Sequence, residues 1–549
     1  MQPSEFRPRP VSEKIPLIVA CAQRTALVIG SLLLASCGTQ PVPVTSPLPA
    51  VVIDAHSHVF NAHYLPVRAI CLSRGLSPDV AEAIEIVVLS LTDDSHLAEP
   101  ALLSERGEAV DVLALRNLKR SVETMIRART DVLAEVFTPA RVAVIRAKLS
   151  PKQRHALLEF IGRPTVAAMA DPLVTAEDLA RALEKAGILS DRHGAGPALA
   201  ANGISGYLRF LGVVISSERV QLKSLSRTFP KVDLFVAHMM DLENTYDQQP
   251  TFPFALQVRK LMALQAENPK TLLMFGAFDP FRREAALPMA EAAYAEGVAG
   301  FKFYPPDGYR PAENFIPLLS LPDTNPAQWH HRYDNLTGAD LDRWNKAFFD
   351  FCLLHDAPIF LHCTPMGFES VTGYGRIMAD PQYWKSILQD PAYARLRVCF
   401  GHAGGTGLWF GGDPVSTAFG AEVVRWCETY DNVYCDAGFW ETLLTDDGVT
   451  KLRGNLTDLF AAHPKLARKL VYGTDWFMVT QEEKFPEYLA RMARVFDTPA
   501  LAPYRDGFFS GNEARFLKLD ELAQDPRLPA PTRARLASLV AQLPAGWKK

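Results

Sequence analysis

His56 and His58 flank a single serine, and further along the chain His362, His402 and Asp475 sit at or just beyond the ends of short apolar runs. Side chains two apart in an extended strand leave on the same side, so both imidazoles of His56-Ser57-His58 face one way. Neutral imidazole and carboxylate oxygen are ligands for borderline divalent metals such as Zn²⁺, and catalytic sites of that kind keep one position open for water. A bound divalent ion lowers the pKa of its water to roughly 7 and polarises a carbonyl as a Lewis acid. Beside such an ion, Asp475 has the chemistry to take the water's proton and return it to a leaving group. His402 has the chemistry to hydrogen-bond the same water or a developing oxyanion; its other reading is a core histidine bonded to backbone. A His-x-His pair alone carries little weight. Four histidines and one aspartate at the ends of strands one, five, six and eight carry much more.

Those strands are read from a repeated theme of a short apolar run, then polar residues, then a helical stretch. The runs are Val51–Asp54, Val232–Ala237, Thr271–Phe275, Val298–Tyr304, Ala357–His362, Val398–His402, Val433–Asp436 and Leu470–Tyr472. Between them, stretches such as Leu287–Glu296 and Leu341–Leu354 place apolar residues at three- and four-residue spacing. Eight β-then-α units predict an α/β fold, a (β/α)₈ TIM barrel, and continuous apolar runs are what strands buried on both faces need. An open doubly wound sheet would want a Gly-rich turn after the first strand, where this chain has His56-Ser57-His58.

The first two strands are too far apart for one crossover helix. The segment 64–200 is expected to be a large helical insertion, with helices over Asp111–Val136 and Ala176–Leu189 and a helix start at Thr175 with Glu177 and Asp178. An insertion at a strand's carboxyl end stands over a barrel's active site, so a cap is the expected role; a separately folding helical domain is the alternative.

The strand-end residues resemble the amidohydrolase superfamily, in particular its amidohydrolase-related branch with the aminocarboxymuconate-semialdehyde decarboxylase-like proteins. The resemblance rests on Ile53-Asp54-Ala55-His56-Ser57-His58, Gly300-Phe301-Lys302-Phe303, Pro358–His362, Phe400–Gly405 and Tyr472-Gly473-Thr474-Asp475. Phe509–Phe516 is similar to the Gly-Asn-Ala-Ala-Arg helix that closes this family's barrels. The likeness covers residues 51–63 and about 231–519. It implies that His56, His58 and His362 are metal ligands and that Asp475 is both ligand and proton shuttle. His402 would then orient or activate the attacking water, or bind a second metal. One divalent ion, Zn²⁺, is the expectation, with two as the variant. Lys302 falls where some amidohydrolases carry a carboxylated lysine; a substrate-contacting cation or a lysine paired with a carboxylate are the other readings. The loop 305–340 holds Tyr309, Arg310, His330, His331 and Arg332, which are read as solvated charge or as contacts to an anionic substrate. His63, His238 and Asp241 lie near strand ends and receive no role.

The amino terminus carries a separate message. Thr25–Ala35 is an apolar run of signal-peptide length, preceded by Arg7, Arg9, Lys14 and Arg24 and ending in Leu34-Ala35-Ser36-Cys37. The last four residues resemble a bacterial lipobox. The expectation is a lipoprotein signal over 1–37, a Pro-rich tether over 38–50, the barrel over 51–519 and a helical tail over 520–549. Lipid on Cys37 would place the protein at the bacterial cell envelope, tied to the membrane on the periplasmic or surface side. An ordinary cleaved signal, or a membrane-anchoring helix from near Ile15, are the alternatives. The formal charge of −4 in 549 residues, with Lys and Arg scattered, offers no basic face for nucleic acid. The eight cysteines form no CxxC pair, and Cys363, Cys399 and Cys435 fall in apolar runs as buried thiols.

The function expected from this set is hydrolysis of a C–N or C–O bond in a small molecule, an amide, lactone or ester. Non-oxidative decarboxylation by the same ligands and a catalytically silent, surface-tethered binding protein are the alternatives.

Overall fold

The apolar runs form strands wherever their β-branched and aromatic residues have a neighbouring strand to pack against. In the computed structural model these are β1 Ile53–Ser57, β2 Leu234–His238, β3 Leu272–Phe278 and β4 Phe301–Phe303. β5 Ile359–His362, β6 Val398–Gly401, β7 Val433–Asp436 and β8 Leu470–Val471 complete the set. The structure describes residues 42–73, 75–92, 137–163, 174–186, 203–246, 248–315, 334–371 and 373–548. The expected lipobox and signal, the helix 111–136, and His330, His331 and Arg332 lie outside them.

The eight strands run parallel in sequential order. The ring closes between last and first: the Ala55 N–H donates to Tyr472 O at 2.9 Å, and Ser57 bridges Trp476 in parallel. This is the (β/α)₈ barrel. Every strand residue is buried because helices cover the outer face, as in Gly338–Leu354. That helix starts on a Thr337/Asp340 capping box and buries Leu341, Trp344, Phe348, Phe349 and Cys352 along one stripe. Val51, Ile53, Ala55, Val236, Phe275, Phe360, Cys399 and Val471 fill the inside as one apolar cluster. That cluster continues into Ala514, Phe516, Leu536 and Leu539, so the C-terminal helices plug the floor. Asn512 Nδ2 reaches the carbonyls of Ala467 and Leu470 at the start of β8, which fixes which end of the barrel is the floor.

Between β1 and β2 the described chain is helical: Val67–Ser73, Pro78–Leu91, Pro139–Lys148, Pro151–Phe160, Ala176–Ala186, Gly203–Val214 and Glu218–Thr228. Thr175 caps its helix reciprocally with Asp178, at 2.8 and 3.2 Å. The helix Gly203–Val214 touches the barrel mouth, with Phe210 5.4 Å from the Phe477 ring and Arg209 bonded to Thr480 O. The pair Pro139–Phe160 stacks on Pro78–Leu91 instead, where Lys148 Nζ meets Ser90 Oγ at 3.2 Å. Among the described residues no helix is long and apolar enough to cross a membrane. Cys363, Cys399 and Cys435 are free, buried thiols.

Candidate metal centre

A bulge in β1 turns Ser57 outward, where its Oγ donates to Val236 O at 3.0 Å, and leaves His56 and His58 facing inward. One nitrogen of His58 is already committed. Its Nδ1 lies 2.9 Å from the carbonyl of His238, an acceptor only, so Nδ1 carries the proton and Nε2 the lone pair. His56 is arranged in the same sense when Asp436 is ionised: Nδ1 stands 3.2 Å from Asp436 Oδ2, which leaves Nε2 as the inward lone pair.

Both lone pairs converge on Asp475 Oδ1, at 3.5 Å from His56 Nε2 and 3.3 Å from His58 Nε2. That oxygen is buried and accepts no hydrogen bond among the described residues. Of these three electron-rich atoms, His56 Nε2 has Lys302 Nζ at 3.1 Å, and a cation bound between them would satisfy all three at once. Two imidazole nitrogens and one carboxylate oxygen make a donor set suited to a catalytic divalent ion, so the residues fit the metal. Burial pushes the Asp475 carboxyl up, but His58, His402 and Lys302 outweigh it and hold the group below its ordinary value. Burial, with Lys302 and His402 beside it, keeps His56 neutral, the form that binds metal.

His362 ends β5 with Nε2 2.8 Å from Met366 O, so its Nδ1 bears the lone pair. It lines the same cavity, its ring 4.8 Å from that of His402. It is outside the close cluster of His56, His58 and Asp475, whose ligand atoms lie within 4.8 Å of one another. Gly367 makes its placement possible, since a Cβ there would come within 2.5 Å of His362 Nε2. His402 sits in the left-handed region, φ 58°, with Nδ1 3.0 Å from Gly438 O. Burial lowers it to about 4 against the pull of Asp475, so it is a neutral base.

Sequence reasoning left out two acids. Asp436, the last residue of β7, accepts the His402 backbone N–H on one oxygen and faces His56 with the other. It therefore holds residues of β1 and β6 in one frame. Glycine is required beside it: a Cβ on Gly473 would meet Asp436 Oδ2 at 2.4 Å and His56 Cβ at 2.8 Å. Asp54 accepts from Thr474 Oγ1 at 2.6 Å and from the His56 N–H at 3.1 Å, which ties β1 to the segment carrying Asp475. Burial pushes Asp436 up to about 8 and Asp54 to about 7. Their signal was present in the sequence: an acid inside an apolar strand must be buried, and buried acids need partners.

Lys302 of β4 is buried, its Nζ 3.1 Å from His56 Nε2 and 4.7 Å above the Phe360 ring. The remaining sequence candidates are structural. His63 Nδ1 pairs with Thr251 Oγ1, Asp241 is held by Arg282, and His238 Nε2 bonds Ala55 O. Tyr309 donates to Phe278 O, and Arg310 stacks on Tyr383. His58, Lys302, His362, His402 and Asp475 open into a cavity whose other lining includes Phe60, Leu65, Met240, Leu242, Phe368 and Phe477.

No curated protein matches the chain. Among solved structures, an uncharacterised TIM-barrel protein from Bordetella bronchiseptica is 13% identical, covering 55% of this chain and 84% of its own, with a TM-score of 0.36. An amidohydrolase from Burkholderia multivorans is 14% identical, covering 56% and 91%, with a TM-score of 0.36. A 2,6-dihydroxybenzoate decarboxylase from Rhizobium is 14% identical, covering 60% and 98%, with a TM-score of 0.38. The profile described as Amidohydrolase matches residues 243–519, half of the chain and the part that supplies six of the eight strands, β3 to β8, together with Lys302, His362, His402, Asp436 and Asp475. The chain belongs to the amidohydrolase family.

Proposed function

We propose that this protein is a metal-dependent hydrolase that cleaves a C–N or C–O bond, as in an amide, lactone or ester, of a small molecule. The observation that carries the proposal is the convergence of His56 Nε2, His58 Nε2 and the unpartnered Asp475 Oδ1 on one point at the cavity wall. His56, His58 and Asp475 would hold one divalent ion, Zn²⁺, with His362 offering Nδ1 from β5. When bound, such an ion acidifies water and polarises a carbonyl.

Asp475, held ionised, takes a proton from the attacking water and delivers it to the departing nitrogen or oxygen, so the same carboxyl serves as base and then acid. His402 has its Nδ1 bound to Gly438 O, which leaves Nε2 to accept a hydrogen bond and aim the water. Lys302 supplies positive charge near the oxygen on which negative charge develops. Mass spectrometry of products formed in ¹⁸O-labelled water tests this reading: one labelled oxygen per turnover supports it, and products without label contradict it.

Decarboxylation of a small carboxylic acid is the second reading. It uses the same ligands and draws on Lys302, the one cation among the described lining residues, as the partner of a substrate carboxylate. Release of CO₂ without consumption of water would select it. A silent binding protein would turn over neither substrate class. The lipid anchor on Cys37 completes the proposal, since a Pro-rich tether would hold the barrel clear of the membrane. Cys37→Ala should move the protein out of the membrane fraction, and absence of labelled fatty acid on the unsubstituted chain would refute the anchor.

A further inference from the structure

We infer that the cavity selects small molecules with a compact apolar body, aryl or branched alkyl, that carry at most one negative charge. The inference rests on reading this cavity as the substrate site. The polar groups of the lining sit at the strand ends or directly after them. The segments that continue from those strands contribute a wall of another kind: Phe60 and Leu65 after β1, Met240 and Leu242 after β2, Phe368 after β5 and Phe477 after β8. None of these six side chains can donate or accept an ordinary hydrogen bond. They are also held in place. Phe60 meets Phe477 edge to face at 4.8 Å, and Phe477 packs on Phe210 of the helix Gly203–Val214 at 5.4 Å. The Phe368 N–H donates to Tyr304 Oη at 2.7 Å, so the tyrosine hydroxyl of the lining already accepts one hydrogen bond.

Two classes of substrate are thereby disfavoured. A polyol such as a sugar lactone would press hydroxyls against this wall, and each one left without a partner lowers affinity on the order of tenfold or more. Beyond the one divalent ion proposed at His56, His58 and Asp475, a polyanion would find Lys302 and no second cationic side chain among the described lining residues. An apolar body loses nothing by leaving water here and gains contact with the wall.

Calorimetric titration of the zinc-supplemented full-length protein with benzohydroxamate and acetohydroxamate tests the wall directly, because the two share one metal-binding group and differ in the body. Benzohydroxamate is expected to bind about tenfold tighter or more, and Leu242→Ala is expected to shrink that preference. Ligand-observed NMR on chelator-treated protein with benzamide and glycerol provides a readout that needs no metal, with saturation transfer expected to benzamide alone. Equal affinities for the two hydroxamates, or equal transfer to glycerol, would overturn the inference. If neither hydroxamate binds while benzamide still does, the metal reading fails and the apolar selection stands.

Discussion

The two ends of the barrel both bury acids, and they treat them in opposite ways. At the mouth, Asp475 Oδ1 accepts no hydrogen bond, but two imidazole lone pairs approach the same point within 3.5 Å. At the floor, Glu513 is equally buried and both of its oxygens lack hydrogen-bond donors, yet it belongs to no cluster of metal-ligating atoms among the described residues. The charges differ accordingly. Neighbouring His58, His402 and Lys302 hold the Asp475 carboxyl below its ordinary value, whereas burial, reinforced by Asp436 and Asp54, drives the Glu513 carboxyl well above. Burial without a partner therefore does not mark a site. Convergence of several electron-pair donors on one point does, because a bound cation satisfies them together.

The largest effect expected from breaking this contrast comes from His56→Ala at the mouth. Loss of one ligand and of its lone pair should reduce metal content and lower turnover by about 10³-fold or more. Elemental analysis and kcat on the same preparation check it; full metal occupancy in the variant would mean that His56 is not a ligand.

Asp436→Asn probes a subtler link at the same end. When ionised, the Asp436 carboxylate keeps the proton on His56 Nδ1, whereas an amide nitrogen facing that atom would favour the other tautomer, with Nε2 protonated and unable to bind metal. Metal affinity, read by competition with a chelator, should fall about 10–100-fold while the melting temperature of the metal-free protein changes little. Unchanged affinity would assign Asp436 to scaffolding alone.

The smallest effect belongs to the floor. With the Glu513 pKa raised, the folded state holds a proton that the unfolded chain releases above its ordinary carboxyl value. The stability tied to that proton is full at low pH and declines as pH rises toward and through the folded pKa. Glu513→Gln should therefore raise the melting temperature more at about pH 9 than at about pH 5 and leave metal content unchanged. An equal shift at both pH values would show that Glu513 has an unseen partner.

The barrel was legible because its strands are buried on both faces and so read as unbroken apolar runs; all eight expected runs became strands. The strand-end residues were legible for the same reason, since His362 and His402 end those runs and Asp475 closely follows one. Asp436 and Asp54 were equally polar, but as the final residues of the runs Val433–Asp436 and Val51–Asp54 they looked like boundaries. Their role depends on which strands become neighbours around the ring, which spacing along one strand does not reveal. His238 shows the converse: a histidine ending β2, close to His56, whose Nε2 is taken up by Ala55 O. The apolar wall could not be read either. Phe60, Met240, Phe368 and Phe477 come from four separate segments and meet only because the barrel gathers strand ends at one face.

Metal analysis of the purified full-length protein tests the central claim most directly, and it needs no substrate. After purification without chelators and reconstitution with zinc, the account predicts about one equivalent of divalent metal, abolished by His56→Ala and retained by Glu513→Gln. Less than about 0.2 equivalents of any divalent metal under the same conditions would contradict it.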